Sequence, residues 1–167
     1  HAAVAVTGRR RRPRTPAAGL GLRVVLGVAL PAGIGQTTGR LLAGADVVAL
    51  LNDDTVVEPG WAAELTWAFG APALGAAQPA LVDLDGEAVT SLGVQLDEFG
   101  AGSDVGRGRP VRDLPDEPVP LALFTGGAVA FTREFLTATG GFDERFFMYY
   151  EDVDLALRGA QLGWRYV

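Results

Sequence analysis

The sequence predicts an α/β fold with a mixed, mainly parallel central sheet and flanking helices. The run Val47–Leu51 is continuously apolar, which is typical of a strand covered on both faces of a largely parallel sheet. The run Val24–Ala29 contains β-branched residues and predicts a second strand. Two stretches with helical periodicity, near residues 61 and 151, predict flanking helices. A chain of 167 residues, 49% of them hydrophobic, is long enough for one such domain.

The composition excludes several classes of protein. The hydrophobic fraction is too high for a globally disordered chain. No apolar run approaches the ~18 residues that a membrane-spanning helix needs. Cysteine is absent, which excludes a disulfide framework, a thiolate metal site and a cysteine nucleophile. The single histidine is His1, so a histidine-based triad and a multi-histidine zinc site are excluded as well.

Charge is distributed unevenly along the chain, whose formal net charge is −6. Residues 1–45 hold seven arginines and no acid, whereas residues 46–167 hold the other seven arginines and all 20 acids. The Arg9–Arg14 run is typical of a solvated tail or linker, and the alternative is a patch for nucleic acid or anionic lipid. Because the acidic remainder would repel a phosphate backbone, we expect no nucleic-acid partner.

We divide the chain into an unassigned segment rich in arginine and proline, residues 1–22, and a domain over residues 23–167. The chain begins with His1 and ends inside a predicted strand, so we expect a fragment of a longer protein. The glycines of Gly33–Gly39 are typical of turns, and this stretch could open a helix over Thr38–Ala43. It has neither the GxxxxGK[ST] pattern of a phosphate-binding loop nor the GxGxxG pattern.

The first helix of the domain is predicted to begin near Pro59, a favourable first-turn residue. Its apolar stripe consists of Trp61, Leu65 and Ala68, and Gly70 is a typical stop. Residues 73–100 predict short strands.

Within the segment of short strands, Asp85-Gly86 is a hairpin signal. Gly100–Pro120 contains four prolines and four glycines and predicts a long, mobile loop. Farther along, Thr132 can cap a short helix that runs through Thr139 and ends at Gly140-Gly141.

The last helix is predicted over Glu151–Leu162, with Gly163 as its stop, and Trp164–Val167 begins another strand. The spacing i, i+3, i+4, i+7 predicts one buried stripe on this helix. The stripe consists of Val153, Ala156, Leu157 and Ala160.

An acidic cluster, Asn52-Asp53-Asp54, follows the Val47–Leu51 strand at the end where α/β sheets bind ligands. Adjacent carboxylates repel each other unless a cation or hydrogen-bond donors compensate. Mg²⁺ and Mn²⁺ are held by one or two carboxylates together with substrate phosphates. One interpretation is therefore a metal bound against a diphosphate. The other is a turn in which Asn and Asp accept bonds from nearby backbone.

A second acidic cluster, Glu151-Asp152-Val153-Asp154, begins the last helix and follows the aromatic run Phe146–Tyr150. Acids at a helix N-terminus stabilise the macrodipole, which is the structural interpretation. The functional interpretation is a general base beside an apolar aromatic wall, which would raise the pKa of a carboxylate. The aromatic run itself is more typical of core than of a surface on which sugars stack.

Three motifs occur in order along the chain: LLNDDT at Leu50–Thr55, FTGGA at Phe124–Ala128, and GGFDERFFMYYEDVDL at Gly140–Leu155. In order and spacing they resemble the family 2 glycosyltransferases, most closely the rhamnosyltransferase-like branch that acts on bacterial polysaccharides. The match covers roughly residues 30–167. The resemblance implies a GT-A type nucleotide-diphospho-sugar transferase sandwich, with an incomplete N-terminal unit, that inverts configuration at the anomeric carbon.

The resemblance also implies roles for the first motif. Asp54 occupies the place of the last acid of the family's DxD-type motif. In the family this acid binds the metal ion, and here the ion would be Mn²⁺ or Mg²⁺. Asn52 and Asp53 would contact the donor. Asn52 stands where many members have Asp, so fewer carboxylates would hold the metal.

For the other two motifs, Asp152 matches the family's general base, which deprotonates the acceptor hydroxyl, and Glu151 would support or orient it. Thr125, Gly126 and Gly127 match the segment that lines the donor-sugar and acceptor side, where small residues allow close backbone approach. The implied donor is dTDP-rhamnose or a UDP-sugar, and the implied acceptor is a glycan or a lipid-linked glycan. We expect a cytoplasmic protein, peripheral to the inner face of the cell membrane, with Arg9–Arg14 assisting.

The sequence departs from the family at three places. Residues 1–22 lack a recognisable strand and Asp-containing turn for the nucleotide base, and Gly33–Gly39 lacks the asparagines that precede the metal motif. The chain also ends before the downstream histidine that often completes the metal site. We therefore expect weak or no turnover from these 167 residues alone.

Two alternatives stay open. A non-catalytic nucleotide- or sugar-binding remnant would bind ligand without turnover. A nucleotidyltransferase that uses similar acids would release pyrophosphate instead of nucleoside diphosphate.

Overall fold

The computed structural model of the protein describes residues 3–6, 24–29, 44–146 and 149–167. Two sequence predictions, the helix over 38–43 and the tail or patch at 9–14, lie outside these residues. No described helix combines the length and apolarity required to cross a bilayer.

The described residues form eleven strands, three α-helices and one short 3₁₀ helix. The strands are β1 (Ala3–Val6), β2 (Val24–Ala29), β3 (Val47–Asn52), β4 (Thr55–Val57), β5 (Leu74–Ala77), β6 (Ala80–Val82), β7 (Val89–Ser91), β8 (Val94–Leu96), β9 (Gly102–Asp104), β10 (Ala128–Thr132) and β11 (Arg165–Tyr166). The helices are α1 (Trp61–Ala68), α2 (Arg133–Thr139) and α3 (Glu151–Gln161), and the 3₁₀ helix is Val111–Asp113. The strands predicted at 24–29 and 47–51 are confirmed, as are the helices that follow Pro59 and Thr132.

A five-stranded sheet with the order β11-β5-β10-β3-β2 forms the centre of the domain. The pairs β11·β5 and β2·β3 are parallel, whereas β10 runs antiparallel to both of its neighbours, β5 and β3. The sheet is therefore mixed, as predicted. Parallel pairs do not outnumber antiparallel ones among the described strands, because β10 lies between β5 and β3.

Strand β3 is buried on both faces, as its continuous apolar run predicts. Val48 and Leu50 pack into a core with residues of α2 and α3, whereas Val47, Ala49 and Leu51 pack into a second core with Trp61 and Leu65 of α1. Alternate side chains of one strand thus point to opposite layers. The architecture is a sheet with helices on both sides.

Three phenylalanines at the centre of the α2/α3 core hold the sheet against those helices. Phe124, Phe131 and Phe135 are fully buried. Phe124 lies edge-on to Phe131 at 5.1 Å between ring centroids, and Phe131 stacks on Phe135 at 5.6 Å. Edge-on and offset stacking are the favoured aromatic geometries. Phe124 therefore anchors the segment that follows it, Thr125-Gly126-Gly127, to the core.

Helix α2 has the caps that the sequence predicts. The Thr132 hydroxyl accepts a bond from the Phe135 N–H at 3.2 Å, and Gly140 ends the helix in the left-handed conformation with φ 78°. The Arg158 guanidinium of α3 donates to the carbonyls of Thr139 and Gly141 at 2.5 and 2.7 Å. Arg158 thereby binds α3 to the C-terminal end of α2.

The predicted buried stripe of α3 is wrong for half of its members. Val153 and Ala156 are buried, but Leu157 is 42% exposed and Ala160 is exposed as well. The buried face is completed instead by Leu155 and Gly159. A Cβ atom on Gly159 would overlap the Tyr166 hydroxyl and the Phe135 ring. The helix buries the face that contains Gly159, because a residue without a side chain allows the closest approach to α2 and β11.

The segment predicted as a long loop, Gly100–Pro120, is partly ordered secondary structure. Its first part contains β9, which pairs antiparallel with β8, and its middle contains the 3₁₀ helix Val111–Asp113. The hairpin signal at Asp85-Gly86 is confirmed, since β6 and β7 pair antiparallel across it and Gly86 has φ 71°. These strands and β1 and β4 form a second sheet in the order β4-β1-β6-β7.

Candidate active site

The first acidic cluster lies at the carboxyl end of β3, as predicted. Asn52, Asp53 and Asp54 are exposed. The Asn52 N–H donates to the carbonyl of Gly127 at 3.0 Å. The Thr55 hydroxyl donates to the same carbonyl at 3.3 Å. These two bonds hold the end of β3 and the start of β4 against the Thr125–Gly127 segment. Gly127 lies 72 residues after Thr55.

The Thr125–Gly127 segment is the centre of the site. It connects the buried Phe124 to β10, and its three consecutive N–H groups point to three different acceptors. The Thr125 N–H donates to the Gln78 Oε1 at 2.7 Å, and the Gly126 N–H donates to the Asp152 Oδ2 at 2.7 Å. The Gly127 N–H donates to the Thr125 hydroxyl at 3.5 Å.

The two glycines of this segment differ in how much room they have. A Cβ atom on Gly127 would lie 3.1 Å from the Leu81 side chain, which is tighter than ordinary contact. A Cβ atom on Gly126 would lie 3.6 Å from the carboxylate of Asp152, which is ordinary van der Waals distance. A side chain at Gly126 would therefore contact Asp152 without overlapping it.

Asp152 lies in the first turn of α3, and both of its carboxylate oxygens are engaged. Oδ2 accepts the Gly126 N–H, and Oδ1 accepts the N–H of Val153 at 2.7 Å. Each oxygen has a further lone-pair direction, because a carboxylate can accept about four bonds. The side chain is half-buried. The carboxylate is thus held in one orientation while it retains the capacity to accept another proton donor.

Glu151 has a different environment from its neighbour. Its Oε2 is buried and has no hydrogen-bond partner among the described residues. Burial raises the pKa of Glu151 above its ordinary value, and the adjacent Asp152 carboxylate raises it further. The two acids of this pair therefore differ in hydrogen bonding, since Asp152 accepts two backbone bonds and Glu151 has a buried oxygen without a partner among the described residues.

The described aromatic residues just before α3 are exposed, which corrects the prediction of core for these three, Phe146, Tyr149 and Tyr150. Tyr149 is 74% exposed and Tyr150 is 44% exposed, and Phe146 is also exposed. Both tyrosines have left-handed backbone conformations, with φ 69° and 68°. Such conformations are costly for side chains with a Cβ atom and cluster at active sites. The Tyr150 hydroxyl accepts a bond from the Gly102 N–H at 3.1 Å, which binds the β8–β9 hairpin to the start of α3.

The structure brings the predicted site residues together through hydrogen bonds. Asn52 bonds Gly127, and the neighbouring Gly126 bonds Asp152, so one segment connects two clusters that are nearly 100 residues apart in sequence. Sequence reasoning missed Gln78. It is the first polar residue after the buried strand β5, and this position at a strand end was a signal that could have identified it.

The chemistry of the acids fits a divalent metal that substrate phosphates help to hold. No group of three His, Cys, Asp or Glu side chains able to hold a metal occurs among the described residues. Asp53 and Asp54 supply exposed carboxylate oxygens, the ligand type that Mg²⁺ and Mn²⁺ prefer. One or two carboxylates suffice where a diphosphate completes the coordination.

Comparisons with known proteins agree on one family. Residues 47–167 match the family model described as glycosyl transferase family group 2. The O-antigen biosynthesis protein RfbC of Myxococcus xanthus is 32% identical over 143 residues, covering 79% of this chain and 10% of that protein. An N-acetylglucosaminyl-diphospho-decaprenol L-rhamnosyltransferase of Mycobacterium tuberculosis is 44% identical over 45 residues, covering 27% of this chain and 15% of the relative. The chain thus spans only a small part of the curated relatives it matches.

Proposed function

This chain belongs to glycosyl transferase family group 2, and we propose that it is the catalytic part of an inverting glycosyltransferase with a GT-A type fold. The observation that carries the proposal is the Gly126 N–H···Asp152 bond, since it places the candidate base beside the segment that also binds the end of β3. Family membership covers both acidic clusters, because the matched region runs from residue 47 to residue 167.

In the proposed reaction, the oxygen of an acceptor hydroxyl attacks the anomeric carbon of the donor sugar. The bond between that carbon and the diphosphate oxygen breaks, and the nucleoside diphosphate leaves. Asp152 takes the hydroxyl proton, for which its two backbone bonds orient the carboxylate. Attack on the face opposite the leaving group inverts the configuration.

Asp54 would hold Mn²⁺ or Mg²⁺, with Asn52 and Asp53 beside the donor. A divalent ion bound there supplies stabilisation of the charge that develops on the diphosphate. Thr125, Gly126 and Gly127 would line the donor-sugar and acceptor side, where the two glycines allow a substrate to approach the backbone closely. Glu151, whose pKa is raised by burial, would support or orient Asp152.

The proposed substrates follow from the relatives. Their names refer to O-antigen biosynthesis and to a rhamnosyl transfer onto a decaprenol-linked sugar. We infer a nucleotide-sugar donor, dTDP-rhamnose or a UDP-sugar, and a glycan or lipid-linked acceptor in polysaccharide synthesis. A lipid-linked acceptor would require a peripheral position at the inner face of the membrane. The exposed side chains of Tyr149 and Tyr150, which precede Glu151 and Asp152 in the sequence, would offer an aromatic surface to an acceptor sugar.

The experiment that tests the function is a donor-panel assay of the full-length protein with Mn²⁺ and a glycan acceptor, comparing wild type with Asp152→Asn. We expect nucleoside diphosphate as product and a loss in kcat of about 10²–10⁴-fold, the usual contribution of a general base. Binding of the donor should remain, because the asparagine keeps the size of the side chain.

The matched control is Asp154→Asn, which removes the same charge from the same helix turn. The carboxylate of Asp154 bonds Arg158 at 2.8 Å, so this variant tests the effect of charge and stability without removing the base. Equal losses in the two variants would contradict the assignment of Asp152. Donor binding without any turnover in the wild type would favour the binding remnant, and release of pyrophosphate would favour a nucleotidyltransferase.

A further inference from the structure

We propose that Gln78 is a positioning residue for the transfer reaction: it fixes the Thr125–Gly127 segment and, through Gly126, the orientation of the Asp152 carboxylate. The inference rests on the proposed function. It assigns a catalytic consequence to a residue that lies outside all three sequence motifs.

The backbone of Gln78 is held at the end of the central sheet. It follows β5 directly, and its N–H donates to the carbonyl of Val167 at 2.7 Å. Its side chain then reaches the Thr125–Gly127 segment, where Oε1 accepts the Thr125 N–H at 2.7 Å. Gln78 therefore connects β5, a strand of the central sheet, to that segment.

The contact with Gln78 is adjacent to the contact with Asp152. The Thr125 and Gly126 N–H groups belong to successive peptide units, and they donate to Gln78 and Asp152 at the same distance, 2.7 Å. The two peptide units meet at the Thr125 Cα atom, so a displacement of Thr125 that breaks the first bond also moves the second N–H. Gly126 has no side chain that could resist such a displacement.

The nitrogen of the Gln78 side-chain amide also supports a positioning role for this residue. The Nε2 atom is buried and has no partner among the described residues. The amide cannot be reversed to satisfy it, because an N–H donor faces the Oε1 position. Gln78 thus accepts the Thr125 N–H, although its own buried Nε2 donor has no partner among the described residues.

The test compares Gln78→Met, which keeps the length but removes the acceptor, with Gln78→Glu, which keeps an acceptor oxygen. Gln95→Met is the matched control, because Gln95 is exposed on β8 and bonds only Ser103 among the described residues, at 3.3 Å. In the full-length protein we expect Gln78→Met to lower kcat by roughly 10–100-fold, since misplacement by about 1 Å can cost 10²-fold. The KM for the donor should stay within about threefold, and Gln78→Glu should recover most of the rate.

A double-mutant cycle separates positioning from a general structural effect. In the Asp152→Asn background, Gln78→Met should lower the residual rate little further, because residues that act as one unit are not additive. If Gln78→Met does not fold, Gln78→Asn carries the same expectation, since its shorter side chain withdraws the acceptor from Thr125.

Three results would overturn the inference: an unchanged kcat in Gln78→Met, an equal loss in Gln95→Met, or a full further loss from Gln78→Met in the Asp152→Asn background. A wild-type protein that transfers no sugar from any donor would overturn the proposed function instead. The two failures are therefore distinguishable.

Discussion

Glu151 and Asp152 are neighbours in sequence that the structure places in different environments. Asp152 accepts two backbone N–H bonds, whereas Oε2 of Glu151 is buried without a partner among the described residues. The sequence presents the pair, but only the packing around α3 distinguishes its members.

The raised pKa of Glu151 makes stability depend on pH in a defined direction. The ordinary pKa is 4.5, and burial raises it in the folded protein. Between those two values the folded state binds the proton more tightly than the unfolded state, so the free energy of unfolding falls as pH rises through this window. We expect Glu151→Gln to remove that fall and to be at least as stable as wild type at neutral pH.

The measurement is Tm by calorimetry between pH 4.5 and 7.5. The effect should not exceed about 2–4 °C, the shift that 1 kcal/mol produces in a domain of this size, because Glu151 is only partly buried. Glu134→Gln is the control, since Glu134 is an exposed acid in the first turn of α2. A steeper loss of stability in Glu151→Gln than in wild type as pH rises would contradict the expectation.

At the scale of single elements, α3 shows where periodicity is insufficient. The spacing of Val153, Ala156, Leu157 and Ala160 is helical, and the helix is there, but its buried face is turned toward Leu155 and Gly159. Two adjacent apolar stripes are possible on this helix. The choice between them is made by α2 and β11, whose Phe135 and Tyr166 need the space beside Gly159. The Tyr166 hydroxyl then donates to the carbonyl of Ala156 at 2.6 Å.

The observed orientation of α3 predicts losses of stability of different size for two leucine-to-alanine substitutions on this helix. Leu155 is fully buried, so Leu155→Ala should lower the free energy of unfolding by about 2–5 kcal/mol through lost burial and a cavity. Leu157 is 42% exposed, so Leu157→Ala should cost less than about 1 kcal/mol. Urea denaturation of both variants measures the difference. A larger loss in Leu157→Ala than in Leu155→Ala would mean that the buried stripe predicted from the sequence is correct.

On the scale of the whole molecule, the candidate site is assembled by the central sheet. Asn52 ends β3, Gln78 follows β5, the Thr125–Gly127 segment leads into β10, and Asp152 begins α3. Their hydrogen bonds join four elements that are distant in sequence. A ligand that contacts several of them at once can bind only the folded protein, so binding and global stability are linked.

This linkage predicts a cooperative thermal shift in the full-length protein. A nucleoside diphosphate together with Mn²⁺, each at about 100 times its dissociation constant, should raise the Tm of this domain by roughly 5–10 °C. Either component alone should produce a smaller rise, because the diphosphate completes the metal's coordination. Asp54→Asn should remove most of the shift.

Asp85→Asn is the control for that experiment, since Asp85 lies in the exposed turn between β6 and β7. It removes one carboxylate without touching the end of β3. A thermal shift that Asp54→Asn and Asp85→Asn retain equally would argue against a metal site at Asn52-Asp53-Asp54.

Local patterns in the sequence were sufficient for features that depend on nearby residues. The apolar run at 47–51, the Thr132 cap and the turn at Asp85-Gly86 are all confirmed, because each depends on contacts within a few residues along the chain. The three motifs likewise indicated the family.

The arrangement of elements depends on contacts between distant residues, and only the tertiary structure decided it. Local periodicity does not specify that β10 lies between β5 and β3, that α3 turns its glycine toward Phe135, or that Tyr149 and Tyr150 are exposed. It also does not indicate that Gln78 meets Thr125, 47 residues away. Backbone pairing and burial must be satisfied for the whole chain at once, so a single segment carries too little information to settle them.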